Sequence, residues 1–238
     1  MKKRKIIFLF TLFLLLSVIT VSGYKVVVQA LDKKHTSEEI ITINQTQNNL
    51  NDTTKNKIQT YKKEYQNEDI IGILRIEGVL NTLLVQTDNN YYYLGHLVNK
   101  KYNKTGSVFV DYRTNIDNSK QVNIYGHSSS SYDIPFNNLK KYLKEDFYKE
   151  HKYLTIETEN KTYKYEIFSV KITSDEEHLN VKYQNNQEFS EHLQKLKKDS
   201  LYETNVNVTE KDDILTLQTC IFNDPKGALL IINLRKVG

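Results

Sequence analysis

From Ile70 onward the chain is divided into short apolar segments separated by Gly, Asn and Asp turns, and this pattern constrains the fold more than any other feature. Segments of about 4–8 residues that are rich in β-branched and aromatic residues and bounded by turn residues are typical of β-strands. The predicted strands are Ile70–Ile76, Thr82–Gln86, Tyr91–Leu94, Ser107–Asp111, Val122–Tyr125, Tyr153–Thr158, Tyr163–Ile172, Ile214–Thr219 and Ala228–Leu234. About eight strands with few helices predict a mainly β domain whose largely antiparallel sheet closes into a barrel.

Two helices are predicted between the strands. Pro135 suits the first turn of one helix, and a second helix is predicted over about residues 188–201. In each, apolar residues recur at helical spacing and would face the barrel. The buried stripes are Phe136, Leu139, Leu143 and Phe147 in the first helix, and Phe189, Leu193 and Leu196 in the second.

The N-terminus carries four basic residues, Lys2 to Lys5, directly before a charge-free apolar run from Ile6 to Ser22. This run is near the lower limit for crossing a bilayer and is long for the core of a signal peptide. Because the cations precede the run, we expect the N-terminus in the cytoplasm and the rest of the chain outside. The sequence therefore predicts a single-pass anchor in the cell membrane. A cleaved signal peptide is the alternative, since Val28-Gln-Ala30 loosely resembles a cleavage site.

Three regions follow from this reading. Residues 1–28 form the basic flank and transmembrane anchor, residues 29–66 a polar and partly helical stalk, and residues 67–238 the β-barrel domain. The stalk is rich in Asn, Gln, Thr and Lys, and Thr36-Ser-Glu-Glu39 can form a helix-capping box. A disordered linker is the alternative for this region, because so polar a segment buries little apolar surface.

Charge and metal-ligand spacing exclude several classes of function. Of the 33 Lys and Arg residues, four precede the apolar run, and the remainder equal the 29 Asp and Glu residues. The exported part is therefore neutral, and no basic patch with interleaved aromatics indicates nucleic-acid binding. No Cys and His residues show zinc-site spacing, so neither a metal nor another cofactor is predicted.

The chain has one cysteine, Cys220, so no internal disulfide can form. An exported free thiol is either buried and inert or kept for its reactivity. Strand alternation places Leu215 and Leu217 on one face and Cys220 on the other, more polar face at the strand end. His127 follows another strand end, and if it meets Cys220 it can stabilise the thiolate and protonate a leaving amine. A packed structural thiol and a surface histidine remain the alternative.

Thr216-Leu-Gln-Thr-Cys220 resembles the Thr-Leu-x-Thr-Cys signature of sortases, and Tyr125-Gly-His127 matches the histidine strand of that family. The similarity extends from about Ile70 to the C-terminus and is greatest to class B sortases. The segments that carry the class B resemblance are 91–96, 106–113, 136–142 and the predicted helix at 188–201. This resemblance implies an eight-stranded barrel with the activity of a membrane-tethered cysteine transpeptidase.

Such an enzyme cleaves a sorting motif near the C-terminus of a secreted protein through a thioacyl intermediate. It then transfers the acyl fragment to an amine of a peptidoglycan precursor or of a pilin subunit. By this resemblance Cys220 is the nucleophile and His127 the general acid. The candidate substrate-binding residues are Thr219, Gln218, Ser128 and Tyr132.

The sequence departs from the family in one respect. Sortases carry an arginine at the start of the strand after the cysteine, and here that position falls on or next to Leu229. Arg235 is six residues further, about 20 Å along an extended strand, and Lys226 lacks the bidentate fork of arginine. Arg113 belongs to a segment that the family shares and is expected to be structural.

Loss of one oxyanion donor can lower the rate by about 10²–10³. A slow sortase, one with a substitute cation, and a catalytically degenerate barrel that binds sorting peptides therefore all remain open. An exported cysteine protease that hydrolyses the thioester is a further alternative.

Overall fold

The structure is a computed structural model that describes residues 2–49, 57–174, 180–221 and 227–238. It divides into two compact units, Met1–Gln45 and Thr46–Gly238. Helix α1, Lys2–Asn49, contains the predicted anchor and continues into the segment predicted as a stalk. Within the described ranges, α1 is the one helix that is long and apolar enough to cross a membrane, over Phe8–Ile43.

A closed eight-stranded barrel forms the second unit and confirms the predicted fold class. Helix α2, Lys57–Tyr65, precedes it. The strands are β1 Ile70–Ile76, β2 Leu80–Val85, β3 Phe109–Val110, β4 Gln121–Tyr125, β5 Tyr153–Glu157, β6 Thr162–Thr173, β7 Ile214–Cys220 and β8 Leu229–Lys236. Their order around the barrel is β1-β2-β3-β4-β7-β8-β6-β5.

The pairing of β4 with β7 determines where the site lies. These strands are parallel neighbours, in register from Gln121 opposite Ile214 to Tyr125 opposite Gln218. The pairing continues past β4, because the Gly126 amide donates to the Gln218 carbonyl at 3.2 Å. Because both strands run in the same direction, the residues that follow them emerge side by side at one edge of the barrel.

Alternation along β4 and β7 fills the barrel. Val122, Ile124, Leu215 and Leu217 are buried in its core, as expected for one face of each strand. The outer face is also covered in part. Helix α4, Asn186–Lys198, packs its apolar stripe of Phe189, Leu193 and Leu196 against the outside of the sheet.

The prediction of a strand over Tyr91–Leu94 is wrong, because Tyr92–Leu94 forms a 3-10 helix. The side-chain oxygen of Asn89 accepts hydrogen bonds from the amides of Tyr91 and Tyr92, at 2.8 and 2.9 Å. These local bonds satisfy donors that a strand would offer to a neighbour, so the segment folds as a turn.

The single helix predicted from Pro135 is also wrong in detail. The chain forms a 3-10 helix, Pro135–Leu143, and a separate helix α3, Glu145–Glu150, with Lys144 extended between them. A 3-10 helix has about three residues per turn, so residues three apart share a face. Phe136, Leu139 and Tyr142 are consequently buried, whereas Leu143 is 37% exposed.

Candidate active site

Cys220 is the last residue of β7, and its side chain is exposed. Leu217 and Thr219 precede it on the opposite, buried face of the strand. On the neighbouring strand β8 it lies opposite Leu229. The thiol therefore stands at the edge of the barrel, outside the apolar core, where a peptide can reach it.

His127 lies two residues beyond the end of β4, and its ring is half-buried. Its Nε2 atom is 3.0 Å from the main-chain carbonyl oxygen of Leu94, the last residue of the first 3-10 helix. A carbonyl oxygen can only accept, so Nε2 must carry a hydrogen in this contact. Nδ1 is then the ring atom through which a neutral His127 can accept a proton.

Gly126 allows the end of β4 to pass close to the second 3-10 helix. A Cβ atom at this position would lie 2.7 Å from the ring of Phe136. Phe136 is fully buried, so its ring has no space into which to move. The absence of a side chain at Gly126 is therefore required for His127 to follow its strand along this path.

A cavity of about 270 Å³ lies at this edge of the barrel and contains both predicted catalytic side chains. The predicted substrate-binding residues Gln218 and Thr219 also line it. The full lining is Asn90, Leu94, Phe109, Arg113, Tyr125, Gly126, His127, Gln218, Thr219 and Cys220. The structure thus brings together Cys220, His127, Gln218 and Thr219 from separate parts of the chain.

Ser128 and Tyr132 are placed differently, since neither belongs to the lining of this cavity. The buried hydroxyl of Ser128 donates to the main-chain carbonyl of Cys220 at 2.5 Å. The ring of Tyr132 lies 5.4 Å from the amine of Lys104. Both residues belong to the loop after His127, and their side chains make these contacts without lining the cavity.

Sequence reasoning did not place Arg113 in the cavity. Its Nε and Nη2 atoms donate to the carboxylate of Asp111 at 2.9 and 2.7 Å. The Tyr125 hydroxyl donates to the same carboxylate at 2.8 Å. Burial pushes the pKa of Asp111 upward, but the hydrogen bonds from Arg113 and Tyr125 outweigh burial and hold this pKa below its usual value. The spacing in Asp111-Tyr-Arg113 could have indicated the ion pair from sequence. It could not have shown that this pair lies in the same cavity as the thiol.

The cations that sequence analysis weighed as substitutes are not in the cavity lining. Arg235 lies opposite Ile214, at the other end of β7 from Cys220. Its Nε and Nη2 atoms bind Glu166 at 3.2 and 2.9 Å. Lys226 falls outside the described residues.

Metal ligands are not gathered at this site. In the part of the chain that the structure describes, no three His, Cys, Asp or Glu side chains are grouped so that they could hold a metal ion. The cavity lining itself offers one sulfur and one imidazole. This pair suits attack by a thiolate on a carbonyl followed by proton transfer.

Comparison with known proteins agrees with this fold. The sortase domain family model matches residues 74–233. The chain is 32% identical to sortase B of Listeria monocytogenes over 214 residues, covering 86% of each protein. The crystal structure of Clostridium perfringens sortase B matches with a TM-score of 0.70 at 27% identity, covering 76% of this chain and 99% of that one.

A substrate complex of Staphylococcus aureus sortase B has the same fold, with a TM-score of 0.70 at 24% identity and coverage of 88% of this chain and 94% of that one. The resemblance seen in the Thr216–Cys220 and Tyr125–His127 segments is thereby confirmed along most of the chain. The protein belongs to the sortase family and resembles class B sortases.

Proposed function

We propose that this protein is a membrane-anchored cysteine transpeptidase that cleaves a sorting motif near the C-terminus of secreted proteins. It transfers the acyl fragment to an amine of the cell wall or of a pilin subunit. One observation carries the proposal: the exposed thiol of Cys220 and the imidazole of His127 line one cavity at the ends of adjacent parallel strands. Membership of the sortase family supports it.

In the first step the thiolate of Cys220 attacks the carbonyl carbon of the scissile peptide bond. A carbon–sulfur bond forms, the carbon–nitrogen bond breaks, and the leaving amine takes a proton from the imidazolium of His127. The Nε2–H bond to Leu94 holds the ring, so Nδ1 is the atom that delivers the proton. The products are a thioester on Cys220 and a free amine.

In the second step an acceptor amine attacks the thioester carbonyl. A carbon–nitrogen bond forms, the carbon–sulfur bond breaks, and neutral His127 takes the proton that the incoming amine loses. The thiolate and the imidazolium are thereby restored. Attack by water in place of the amine would release an acid and make the enzyme a protease.

Gln218 and Thr219 are the proposed substrate contacts within the cavity. The hydroxyl oxygen of Thr219 is buried and has no hydrogen-bond partner among the described residues. A buried polar group of this kind costs free energy, but a substrate must displace the atoms that cover this oxygen before its amide can bond there. Ser128 supports the site through its bond to Cys220, and Tyr132 would contact substrate outside the cavity.

The apolar part of α1 is proposed as an uncleaved anchor, with the basic residues Lys2 to Lys5 on the cytoplasmic side. The polar segment at 29–66 would then hold the barrel domain of residues 67–238 outside the membrane. This arrangement places the cavity where exported proteins emerge. The anchor also keeps the enzyme near acceptors of the cell envelope.

The test uses the full chain in detergent micelles, incubated with a pooled library of internally quenched pentapeptides, with and without hydroxylamine. We expect cleavage that depends on Cys220 and yields peptide hydroxamate, since hydroxylamine captures thioesters. Cys220→Ala and His127→Ala should abolish turnover. His151→Ala is the matched control, because a ring nitrogen of His151 also contacts a main-chain carbonyl, that of Phe147 at 3.0 Å, outside the cavity.

Three other results would contradict the proposal in different ways. Peptide binding without cleavage would indicate a degenerate binding module. Cleavage whose product is the free acid even with hydroxylamine present would indicate a protease. Cleavage that persists in the Cys220→Ala variant would show that Cys220 is not the nucleophile.

A further inference from the structure

A guanidinium group lies in the same cavity as the thiol and the imidazole. Arg113 lines this cavity, and its side chain is 37% exposed. Of the described residues in the lining, it is the one whose side chain is charged at every physiological pH. We propose that Arg113 binds the substrate carbonyl oxygen and stabilises the negative charge that develops there when Cys220 attacks. This inference rests on the proposed function.

The orientation of the guanidinium is set by Asp111, which is fully buried. Nε and Nη2 form a fork on its carboxylate, and the main-chain amide of Arg113 donates to the same group at 2.9 Å. Asp111 thus takes two of the five N–H groups of the guanidinium. The plane is rigid, so the edge that carries Nη1 is directed away from Asp111.

The carboxylate is itself held in place. Its Oδ2 atom accepts from the hydroxyl of Tyr125, which also interacts with the guanidinium. The main-chain carbonyl of Asp111 accepts from Gln86 at 2.9 Å and from Thr114 at 3.0 Å. Hydrogen bonding to Asp111 raises the pKa of Arg113, so the ion pair persists throughout the working range of pH.

Tyr125 connects this ion pair to the catalytic histidine, because it precedes His127 by two residues at the end of β4. The ion pair that holds the proposed oxyanion donor, from the segment after β3, and the histidine that donates the proton therefore meet at the end of β4. A donor fixed before the reaction stabilises developing charge without the cost of reorganising. The β8 residue opposite Cys220, Leu229, offers no such donor.

The competing explanation is that Arg113 has a purely structural role, in which its charge only neutralises the buried carboxylate of Asp111. Removing the arginine would leave a buried carboxylate without its cation, which lowers stability and could distort the cavity. The test must separate this effect from catalysis. The double variant Asp111→Asn/Arg113→Gln does so, because it removes both charges together.

The experiment measures kcat and KM for the full chain in micelles, with the best-cleaved peptide of the pentapeptide library. We expect Arg113→Gln to lower kcat by about 10²–10³, the loss typical of one oxyanion donor. The double variant should recover thermal stability but not kcat, and guanidinium chloride should partly restore turnover by Arg113→Ala. Arg235→Gln is the matched control, since it removes a carboxylate-bound arginine of similar exposure, 31%.

Alkylation of Cys220 by iodoacetamide provides an independent readout, because this reaction develops no carbonyl oxyanion. Its rate should be the same in wild type and Arg113→Gln. Recovery of kcat in the double variant would assign Arg113 a structural role and overturn the inference. So would an alkylation rate that falls in Arg113→Gln by the same factor as its kcat. Normal turnover by Arg113→Gln would overturn it while leaving the proposed function intact. A wild type without Cys220-dependent cleavage would overturn both.

Discussion

The hydroxyl of Ser128 donates a hydrogen bond to the main-chain carbonyl of Cys220 at 2.5 Å. Ser128 directly follows His127, so this bond joins the loop that carries the histidine to the end of the strand that carries the cysteine. The bond lies two residues further along each segment than the main-chain bond from Gly126 to Gln218. The relative position of thiol and imidazole thus depends on a side chain as well as on the sheet.

Ser128→Ala should loosen this connection. The Cys220 carbonyl would lose a donor in a partly buried position, and we expect a loss of about 1 kcal/mol in the free energy of unfolding. Peptide cleavage should fall by more than this stability loss explains, because His127 gains freedom. Chemical denaturation and steady-state kinetics measure the two effects. The exposed Ser130, changed to Ala, is the control, and equal activity of both variants would show that the bond has no role in catalysis.

Gly126→Ala tests the close approach to Phe136. The added methyl group would need space that the ring occupies, and overpacking of this kind costs about 1–3 kcal/mol. We expect a lower Tm together with a lower kcat, since the displaced backbone leads directly to His127. Gly95→Ala serves as the control, because its Cβ would lie 3.5 Å from the ring of Tyr102, an ordinary contact. A Gly126→Ala protein with wild-type Tm and kcat would contradict the packing argument.

Acid should weaken the barrel through Asp111. Its pKa is lower in the folded protein than in the unfolded chain, so the stabilisation is complete above the unfolded value of about 3.9 and is lost as the pH falls below it. Asp111→Asn should reduce the dependence of unfolding free energy on pH in this acidic window. Urea denaturation at several pH values measures it. If the unfolding free energy depends on pH equally in the variant and in wild type, the Asp111 carboxylate does not stabilise the folded state.

Alkali should destabilise the barrel through its buried tyrosines. Burial raises the pKa of Tyr125, Tyr142 and Tyr165 above the ordinary value of about 10. Because the folded state favours the neutral phenols, these tyrosines stabilise the barrel fully below about pH 10. This stabilisation is lost as the pH rises further. Exposed tyrosines such as Tyr91 and Tyr102 should ionise first, and the remaining rise in tyrosinate absorbance should then coincide with the loss of circular dichroism in one cooperative step. Ionisation of Tyr125, Tyr142 and Tyr165 near pH 10 without unfolding would be inconsistent with their burial.

The strands were readable from sequence because burial in a barrel leaves a local signature. Ile70–Ile76 has the same bounds in the prediction and in the structure, and Leu215 and Leu217 face the core as expected. Strand alternation puts Thr216 on the same face as Cys220, yet Thr216 is buried and its hydroxyl donates to the side-chain oxygen of Asn233 at 2.9 Å. A second layer outside the sheet covers that part of β7, and the pattern within one strand carries no information about such a layer.

The chemistry of the site could be predicted from the sequence, but the full set of residues that line the cavity could not. Cys220 and His127 could be proposed because each follows a strand, but the parallel pairing that places them together is a long-range property of β4 and β7. Arg113 could be expected to pair with Asp111 from their spacing. Its position in the cavity depends on where the segment after β3 meets the end of β4, which no local pattern reveals.

The central claim is that Cys220 forms a thioester with a peptide, and intact mass spectrometry tests it most directly. The full chain is mixed with the pentapeptide library and quenched in acid before the mass is measured. Because the chain has a single cysteine, an acyl adduct that hydroxylamine removes can be assigned to Cys220. The account predicts this adduct in wild type and its absence in Cys220→Ala. A wild-type protein that cleaves peptide without ever carrying the adduct, or that carries it equally after Cys220→Ala, would contradict the account.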